Sequence, residues 1–291
     1  MNRIEELKAR VIGGGSLTEE EAYGLLDTPN KEELYQAAGE ITRHFGKPAF
    51  NPCSIINARA GQCSENCKWC AQSGHYHTDS DVHGIVSAAQ VLDQARYDEK
   101  KGVKRFCQVT SGRSVKEAAL RKVCDNYRAL RKETNLFLCG SLGLLNKEEL
   151  TQLWEAGMRR YHCNLEAAPS YFPSLCTTHT IDEKLQTLRW AREVGFELCS
   201  GGIIGMGETP RQRVELALKL REREFDISPP KKASEIMTIL MIFHTRRFRD
   251  LKSFYPYYVC RHLREEFSPY HLLQPFRRAA GIGGDAPAAV P

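Results

Sequence analysis

Short apolar runs alternate with long, charged amphipathic stretches from about residue 49 onward, and this alternation limits the folds that the chain can adopt. The candidate strands, rich in β-branched and aromatic residues, cover residues 54–57, 105–110, 136–142, 160–164, 197–203 and 235–243. Candidate helices lie between them near residues 86–101, 115–133, 146–156, 181–194 and 209–224. Such repeats form parallel strands with helical crossovers. More than four consecutive units favour an α/β fold of the (β/α)8 TIM-barrel type, with an open doubly wound sheet as the alternative.

The chain divides into three parts by its sequence pattern. Residues 1–48 are predicted to form an N-terminal helical cover, with two short helices within residues 17–45; Asn30 caps the second, and Glu33 follows three positions later. Residues 49–236 form the βα barrel core, because no low-complexity linker divides them. Residues 237–291 are an atypical segment, rich in arginine, tyrosine and proline, without helical or strand periodicity.

Composition and charge exclude several classes of protein. The 291 residues are 42% hydrophobic and 26% charged, which excludes an extended disordered chain. We find no run of about 18 apolar residues and therefore expect no membrane-spanning helix. The net charge of +5 is too small to indicate a nucleic-acid or membrane partner. The charged first residues argue against a signal peptide, so we expect a cytoplasmic protein.

The cysteines carry the strongest chemical signal. Eleven cysteines, an odd number without an export signal, do not suit a disulfide framework. Cys63, Cys67 and Cys70 stand at spacings of four and three in CSENCKWC. Three thiolates on one loop can hold three irons of a cubane cluster and leave the fourth iron open to another molecule, whereas electron carriers need four thiolates. A zinc site and ordinary burial are the alternatives.

A second set of cysteines recurs on successive predicted strands. Cys107, Cys139 and Cys199 fall in three βα units, and inward-pointing residues of neighbouring barrel strands converge in layers. The three thiols could therefore surround one small cluster, although any one of them alone is equally a small buried hydrophobic residue. The remaining cysteines have no partner spacing, and we predict no ligand role for them: Cys53, Cys124, Cys163, Cys176 and Cys260.

Three further features are candidates for ligand contacts. Asn164 and Glu166 alternate at a predicted strand end and so share one face. The glycine-rich segment at residues 201–208 lets the backbone approach a ligand, but it lacks the pattern of a phosphate loop. Arg113 follows the strand of Cys107 and is a candidate for contact with an anion.

Four segments resemble the biotin synthase family of radical S-adenosylmethionine enzymes, in the expected order. They are NPCSIIN at residues 51–57, GQCSENCKWCAQS at 61–73, YHCNLE at 161–166 and CSGGIIGMGET at 199–209, and the resemblance covers roughly residues 30–232. It implies that Cys63, Cys67 and Cys70 ligate a [4Fe–4S] cluster. In this family S-adenosylmethionine chelates the open iron, and an electron from the cluster cleaves it to methionine and a 5′-deoxyadenosyl radical.

The same resemblance implies the other cofactor and the partners. Cys107, Cys139 and Cys199 match the ligands of a [2Fe–2S] cluster whose sulfide is inserted into dethiobiotin, and a homodimer and a flavodoxin-type electron donor are also implied. A relative that catalyses a different radical reaction need not keep all three cysteines. Another radical S-adenosylmethionine enzyme, and an inactive cluster-binding relative, are therefore the alternative functions.

Further residues match family positions around S-adenosylmethionine. The resemblance implies that Trp69 lies near the adenine, and that Asn164 and Glu166 lie near the ribose and the substrate. Lys184 matches a basic position near the cofactor carboxylate. The alternatives are an ordinary loop aromatic for Trp69 and solvated side chains for Glu166 and Lys184.

The resemblance is lost after about Ile236. The family's substrate-proximal asparagine, its Gly-Thr-Pro-Leu-like turn and the region of its arginine ligand are not recognisable in residues 237–291. A reading-frame shift in the gene and true divergence are the two hypotheses. A frame shift would remove the last strands of the barrel, which usually abolishes stable folding, so activity is then less certain than ancestry.

Overall fold

The structure, a computed structural model, describes residues 2–46 and 52–222. The sixth predicted strand, residues 237–291 and Cys260 lie outside the described residues, and so does the predicted boundary at residue 236. Among the described helices, none has the length and apolar character needed to cross a membrane.

Three helices form the N-terminal part: α1 (Arg3–Ile12), α2 (Glu19–Gly24) and α3 (Lys31–Phe45). The Asn30 side chain accepts a hydrogen bond from the backbone N–H of Glu33 at 3.2 Å, so α3 begins as its sequence predicts. Helix α1 is additional to the two predicted helices. It buries Ile4 and Leu7, which stand three positions apart and therefore on one helix face.

The described strands form one five-stranded parallel sheet in the order β1-β2-β3-β4-β5. The strands are β1 (Cys53–Arg59), β2 (Arg105–Thr110), β3 (Phe137–Ser141), β4 (Arg160–His162) and β5 (Glu197–Cys199). The crossover helices are α4 (Ala88–Lys100), α5 (Glu117–Glu133), α6 (Lys147–Ala156), α8 (Ile181–Val194) and α9 (Pro210–Arg221), with a short α7 (Phe172–Leu175) before α8. Five consecutive βα units confirm the predicted architecture.

The two faces of the sheet have different surroundings. Phe106, Leu138, Tyr161 and Leu198 lie on one face and are buried in the hydrophobic core with the crossover helices. Residues at alternate positions point to the opposite, inner face. That inner face carries the cysteines of the second predicted set, so the alternation of the strands decides which residues are available for a cofactor.

Candidate active site

The second set of cysteines shares the inner face of the sheet. Cys107 on β2 pairs in register with Cys139 on β3, and Cys139 pairs with Arg160 on β4. His162 on β4 pairs with Cys199 on β5. Because paired residues of neighbouring parallel strands point to the same side, all three predicted cysteines face one space.

Cys53 adds a fourth thiol to this inner-face group, although its spacing predicts no ligand role. The side chains of Cys53 and Cys139 are hydrogen-bonded, and this bond lowers the pKa of Cys53 to about 7, helped by the charges of Arg105 and Arg160. The bond to Cys53, together with burial, raises the pKa of Cys139. Cys53 stands two residues before Ile55, which pairs in register with Cys107. Because side chains two residues apart on a strand point to the same face, this spacing is the only sequence signal that places Cys53 on the inner face.

Thiols of this inner-face group affect one another's pKa. Burial raises the pKa of Cys107, and the neighbouring Cys53 and Cys199 raise it further. Packing several thiols into one space favours their protonated forms unless a metal neutralises the thiolates. This donor set fits an iron–sulfur cluster.

His162 supports the same conclusion. Its Nε2 atom is buried and has no hydrogen-bond partner among the described residues. Burial, with the charges of Arg160 and Arg105, lowers the pKa of His162 to about 4, so the imidazole is neutral at neutral pH. A buried polar atom of this kind is usually satisfied by a group that enters the site.

The three-cysteine loop follows β1 and folds back on itself. The N–H of Cys63 donates to the carbonyl of Gln72 at 2.8 Å, and the N–H of Gly74 donates to the carbonyl of Cys63 at 2.8 Å. Cys63 and Cys67 are buried, and Cys70 is half-buried. The loop supplies three thiols and no fourth, which is the donor set that a cubane cluster with one open iron requires.

The segment between α7 and α8 closes over this loop. The Sγ atoms of Cys67 and Cys176 are 3.7 Å apart, and Sγ of Cys176 is 3.4 Å from Nδ1 of His179. His179 Nδ1 lies 2.6 Å from Oε2 of the buried Glu65. Cys176, for which the spacing predicts no ligand role, stands 109 positions from Cys67, so only the folded chain brings the two thiols together.

Arg113 does not have the free guanidinium that an anion site would need. Its Nη1 donates to the carbonyl of Thr178 at 2.7 Å and lies 3.3 Å from Oε2 of Glu65, and its Nη2 pairs with Glu183. Two carboxylates therefore neutralise Arg113. The structure corrects the prediction of an anion contact at this residue.

The polar residues at the end of β4 meet Lys184. Its Nζ donates to the carbonyl of Asn164 at 3.0 Å and lies 5.8 Å from the ring centroid of Phe172. Lys184 is only 9% exposed, which contradicts the alternative of a solvated lysine. Burial raises the pKa of Glu166, partly opposed by Lys184 and by a hydrogen bond from Asn164.

The glycine-rich segment approaches the protein's own backbone. The N–H of Ile203 donates to the carbonyl of Glu166 at 2.8 Å. A Cβ atom at Gly202 would lie 2.8 Å from that carbonyl oxygen and 2.5 Å from Cδ2 of Leu216. Gly202 thus allows the chain after β5 to pack between Glu166 and α9, a structural need that does not require a ligand.

Trp69 links the loop to the core. Its ring meets Phe172 edge-on, with 5.8 Å between the ring centroids, and it packs partly buried against the hydrophobic core. This contact explains why Trp69 is partly buried. The predicted position of Trp69 near an adenine remains a proposal.

Known proteins resemble this chain in sequence and in fold. Residues 59–220 match the radical SAM superfamily. Biotin synthase of Parabacteroides distasonis is 48% identical over 219 residues, which cover 75% of this chain and 67% of the relative. Biotin synthase of Desulfotalea psychrophila is 41% identical over 287 residues, which cover 97% of this chain and 81% of the relative. This match extends into residues 237–291, so the expectation that the resemblance ends at about Ile236 is wrong for this relative. The crystal structure of methylornithine synthase superposes with a TM-score of 0.66 at 16% identity, covering 82% of this chain and 75% of that one, and shows the fold alone.

The parallel βα fold, the three-cysteine loop and these matches place the chain in the radical SAM superfamily. Within that superfamily, it belongs to the biotin synthase family. Membership implies a [4Fe–4S] cluster and S-adenosylmethionine as cofactors, and a [2Fe–2S] cluster is typical of biotin synthases. The chain is thus an enzyme that uses radical S-adenosylmethionine chemistry.

Proposed function

We propose that the protein is a sulfurtransferase that converts dethiobiotin to biotin. The observation that carries this function is the presence of two separate groups of sulfur donors. One group lies in the loop after β1, and the other lies on the inner face of the sheet. A radical enzyme without sulfur insertion needs only the first group, whereas sulfur insertion also needs a source of sulfur.

The first donor group would hold the radical-generating cofactors. Cys63, Cys67 and Cys70 would ligate the [4Fe–4S] cluster, which, with S-adenosylmethionine bound, supplies a 5′-deoxyadenosyl radical. The packing of the loop against the segment before α8 keeps two of the thiols buried, so the protein excludes water from this position.

Four side chains would orient S-adenosylmethionine and the substrate. We assign Trp69 to the adenine, Asn164 and Glu166 to the ribose and substrate, and Lys184 to the cofactor carboxylate. The burial of Lys184 beside the Asn164 carbonyl supports a fixed ammonium group at this position. A buried charge of this kind favours an anionic ligand group over water.

The second donor group would hold the cluster that gives up sulfur. Cys107, Cys139 and Cys199 are the assigned ligands, and Cys53 brings a fourth sulfur to the same face. The neutral His162 with its free Nε2 lies beside this group and can accept a hydrogen bond from a polar substrate.

The same proposal includes an electron donor, an oligomeric state and a cellular compartment. A flavodoxin-type protein would donate electrons, which the positive net charge of +5 supports because such donors are acidic. We propose a homodimer, the commonest assembly of soluble proteins. The ten described cysteines form no disulfide with one another, which suits a cytoplasmic enzyme.

An anaerobic assay of the reconstituted protein with S-adenosylmethionine, a reductant and dethiobiotin tests this function. We expect both 5′-deoxyadenosine and biotin. Deoxyadenosine without biotin would support a different radical reaction and contradict sulfur insertion. The absence of both products from folded protein would support an inactive cluster-binding relative.

Variants of two buried cysteines test whether biotin formation in this assay depends on the second cluster. Cys107→Ser removes an assigned ligand of the second cluster, so deoxyadenosine should still form while biotin should not. Cys124→Ser changes a cysteine buried in α5 and should leave both products unchanged. Equal loss of biotin in both variants would contradict the ligand role of Cys107.

A further inference from the structure

Three buried side chains form a compact group beside the three-cysteine loop. Cys67, Cys176 and His179 are 8%, 3% and 7% exposed. Their potential ligand atoms all lie within 4.8 Å of one another. A cubane binds each thiolate to a different iron and so keeps its ligand sulfurs further apart. The spacing of this group instead suits a single ion.

The distances in the group match those around tetrahedral zinc. Two thiolates that bind zinc at about 2.3 Å are about 3.8 Å apart, and a thiolate and an imidazole nitrogen are about 3.6 Å apart. The Sγ atoms of Cys67 and Cys176 are 3.7 Å apart. Sγ of Cys176 lies 3.4 Å from Nδ1 and 3.9 Å from Nε2 of His179. Nε2 is the farther of the two nitrogens from Cys176, so the imidazole has to shift for Nε2 to bind the same ion as the two thiolates.

Glu65 prepares His179 for this role. Its ionised carboxylate can only accept, so His179 donates its Nδ1–H to Oε2 at 2.6 Å and keeps the lone pair on Nε2 free. Ser64 Oγ, at 3.0 Å from Oε1, and Arg113 Nη1, at 3.3 Å from Oε2, hold the carboxylate in place. A carboxylate that orients a histidine in this way is the usual partner of a zinc-binding imidazole.

We propose that Cys67, Cys176 and His179 bind one zinc ion in the chain that lacks its [4Fe–4S] cluster. Two thiols give up their protons on binding, and the two thiolates neutralise the charge of the buried ion. Three protein ligands leave the fourth tetrahedral position to water.

Zinc and the cluster then exclude each other, because both need the Cys67 thiolate. Zinc holds the loop in a state that cannot take up iron until the ion leaves. This competition rests on the proposed role of Cys67 as a cluster ligand, whereas the zinc site itself does not.

Zinc X-ray absorption of the wild-type full chain tests the site without any substitution. The protein is prepared without iron and loaded with one equivalent of zinc. We expect two sulfur ligands and at least one nitrogen ligand. Three sulfur ligands would place the ion among the cysteines of the loop and overturn the proposal.

Cobalt titration of variants locates the ion by a second route. The double variant Cys63→Ser/Cys70→Ser should retain the thiolate and tetrahedral absorption bands of Co²⁺. Cys176→Ser and His179→Gln should each weaken Co²⁺ binding about tenfold or more. Cys124→Ser is the matched control and should bind as the wild type does, with far-UV circular dichroism confirming that each variant is folded. Wild-type affinity in Cys176→Ser would contradict the site.

Reconstitution kinetics test the competition. Preloading with zinc should slow the growth of cluster absorption in the wild type but much less in Cys176→Ser. Equal slowing in both proteins would overturn the competition. Neither this measurement nor zinc spectroscopy depends on biotin formation, so failure of the proposed enzymatic function would be seen separately.

Discussion

At the scale of single residues, cysteines of similar burial have different partners. Cys124 and Cys107 are both buried, but Cys124 lies in α5, whereas Cys107 lies among thiols on the inner face of the sheet. Cys53 belongs to that same group despite its exposure. Burial alone therefore does not show which thiols share a face of the sheet, whereas strand register does.

Gly202 is a residue at which an added methyl group should be costly. Because a Cβ atom would lie 2.5 Å from Leu216 and 2.8 Å from the Glu166 carbonyl oxygen, Gly202→Ala should destabilise the protein by about 1–3 kcal/mol. Thermal or denaturant unfolding measures this change. Gly84→Ala is the control, since its Cβ would meet nothing within 4 Å, and it should change stability by less than about 0.5 kcal/mol. Equal effects would contradict the packing.

His162 should make stability depend on pH in a defined window. Its pKa is lowered from 6.5 to about 4, so between these values the unfolded chain binds a proton that the folded protein does not. Stability should therefore fall as the pH falls from about 6.5 towards 4, by up to about 3 kcal/mol. Unfolding of the cluster-free protein across this range measures the effect. His162→Asn should lose this part of the slope, and an unchanged slope would contradict the buried neutral imidazole.

At the scale of elements, local sequence signals set the helix starts. Thr18, Ser87, Asn146, Thr180 and Thr209 each begin a helix with a reciprocal capping box. These side chains satisfy backbone N–H groups that otherwise have no partner in the first turn.

Asn146 provides a test of whether these capping side chains stabilise the helix starts. Its Oδ1 accepts from the N–H of Glu149 at 2.9 Å, and its own N–H donates to Oε2 of Glu149 at 2.9 Å. Asn146→Ala should destabilise the protein by about 1 kcal/mol in an unfolding experiment without changing cluster content. Asn146→Ser should retain most of the stability. A loss in the serine variant as large as in the alanine variant would contradict the capping role.

The elements that sequence predicts best are those with strong local patterns. Strand β2 and helix α8 have the predicted bounds, because their apolar periodicity is continuous. Strands β4 and β5 are shorter than predicted, at Arg160–His162 and Glu197–Cys199. Beyond these two strands, the following segments pair only through separate hydrogen bonds. One example is the bond that the N–H of Glu166 donates to the carbonyl of Gly201 at 3.1 Å. After β5, Gly201 and Gly202 lower the strand propensity, although the apolar pattern continues to Ile203.

At the scale of the whole molecule, the sequence predicts the parallel fold and the sharing of one face by Cys107, Cys139 and Cys199, but not every neighbour. The contact of Cys67 with Cys176 and the place of Cys53 depend on long-range packing, which no local spacing encodes. The role of each candidate ligand stays a prediction until metal content is measured.

The atypical sequence of residues 237–291 leads to a prediction about the native protein. A frame shift in the recorded gene would give a native protein whose mass differs from 33.0 kDa, whereas true divergence gives that mass. Mass spectrometry of the intact native protein, with resequencing of the gene, distinguishes the two. A mass that matches residues 1–291 would contradict the frame-shift hypothesis.

Iron and sulfide content tests directly whether the two donor groups hold two clusters. Anaerobically reconstituted wild type should contain more iron and sulfide than one [4Fe–4S] cluster accounts for, and Cys124→Ser should match it. Cys107→Ser should fall to the content of a single [4Fe–4S] cluster and retain its absorption, because the loop of Cys63, Cys67 and Cys70 is intact. Wild-type iron content equal to that of Cys107→Ser would contradict a second cluster and, with it, sulfur insertion.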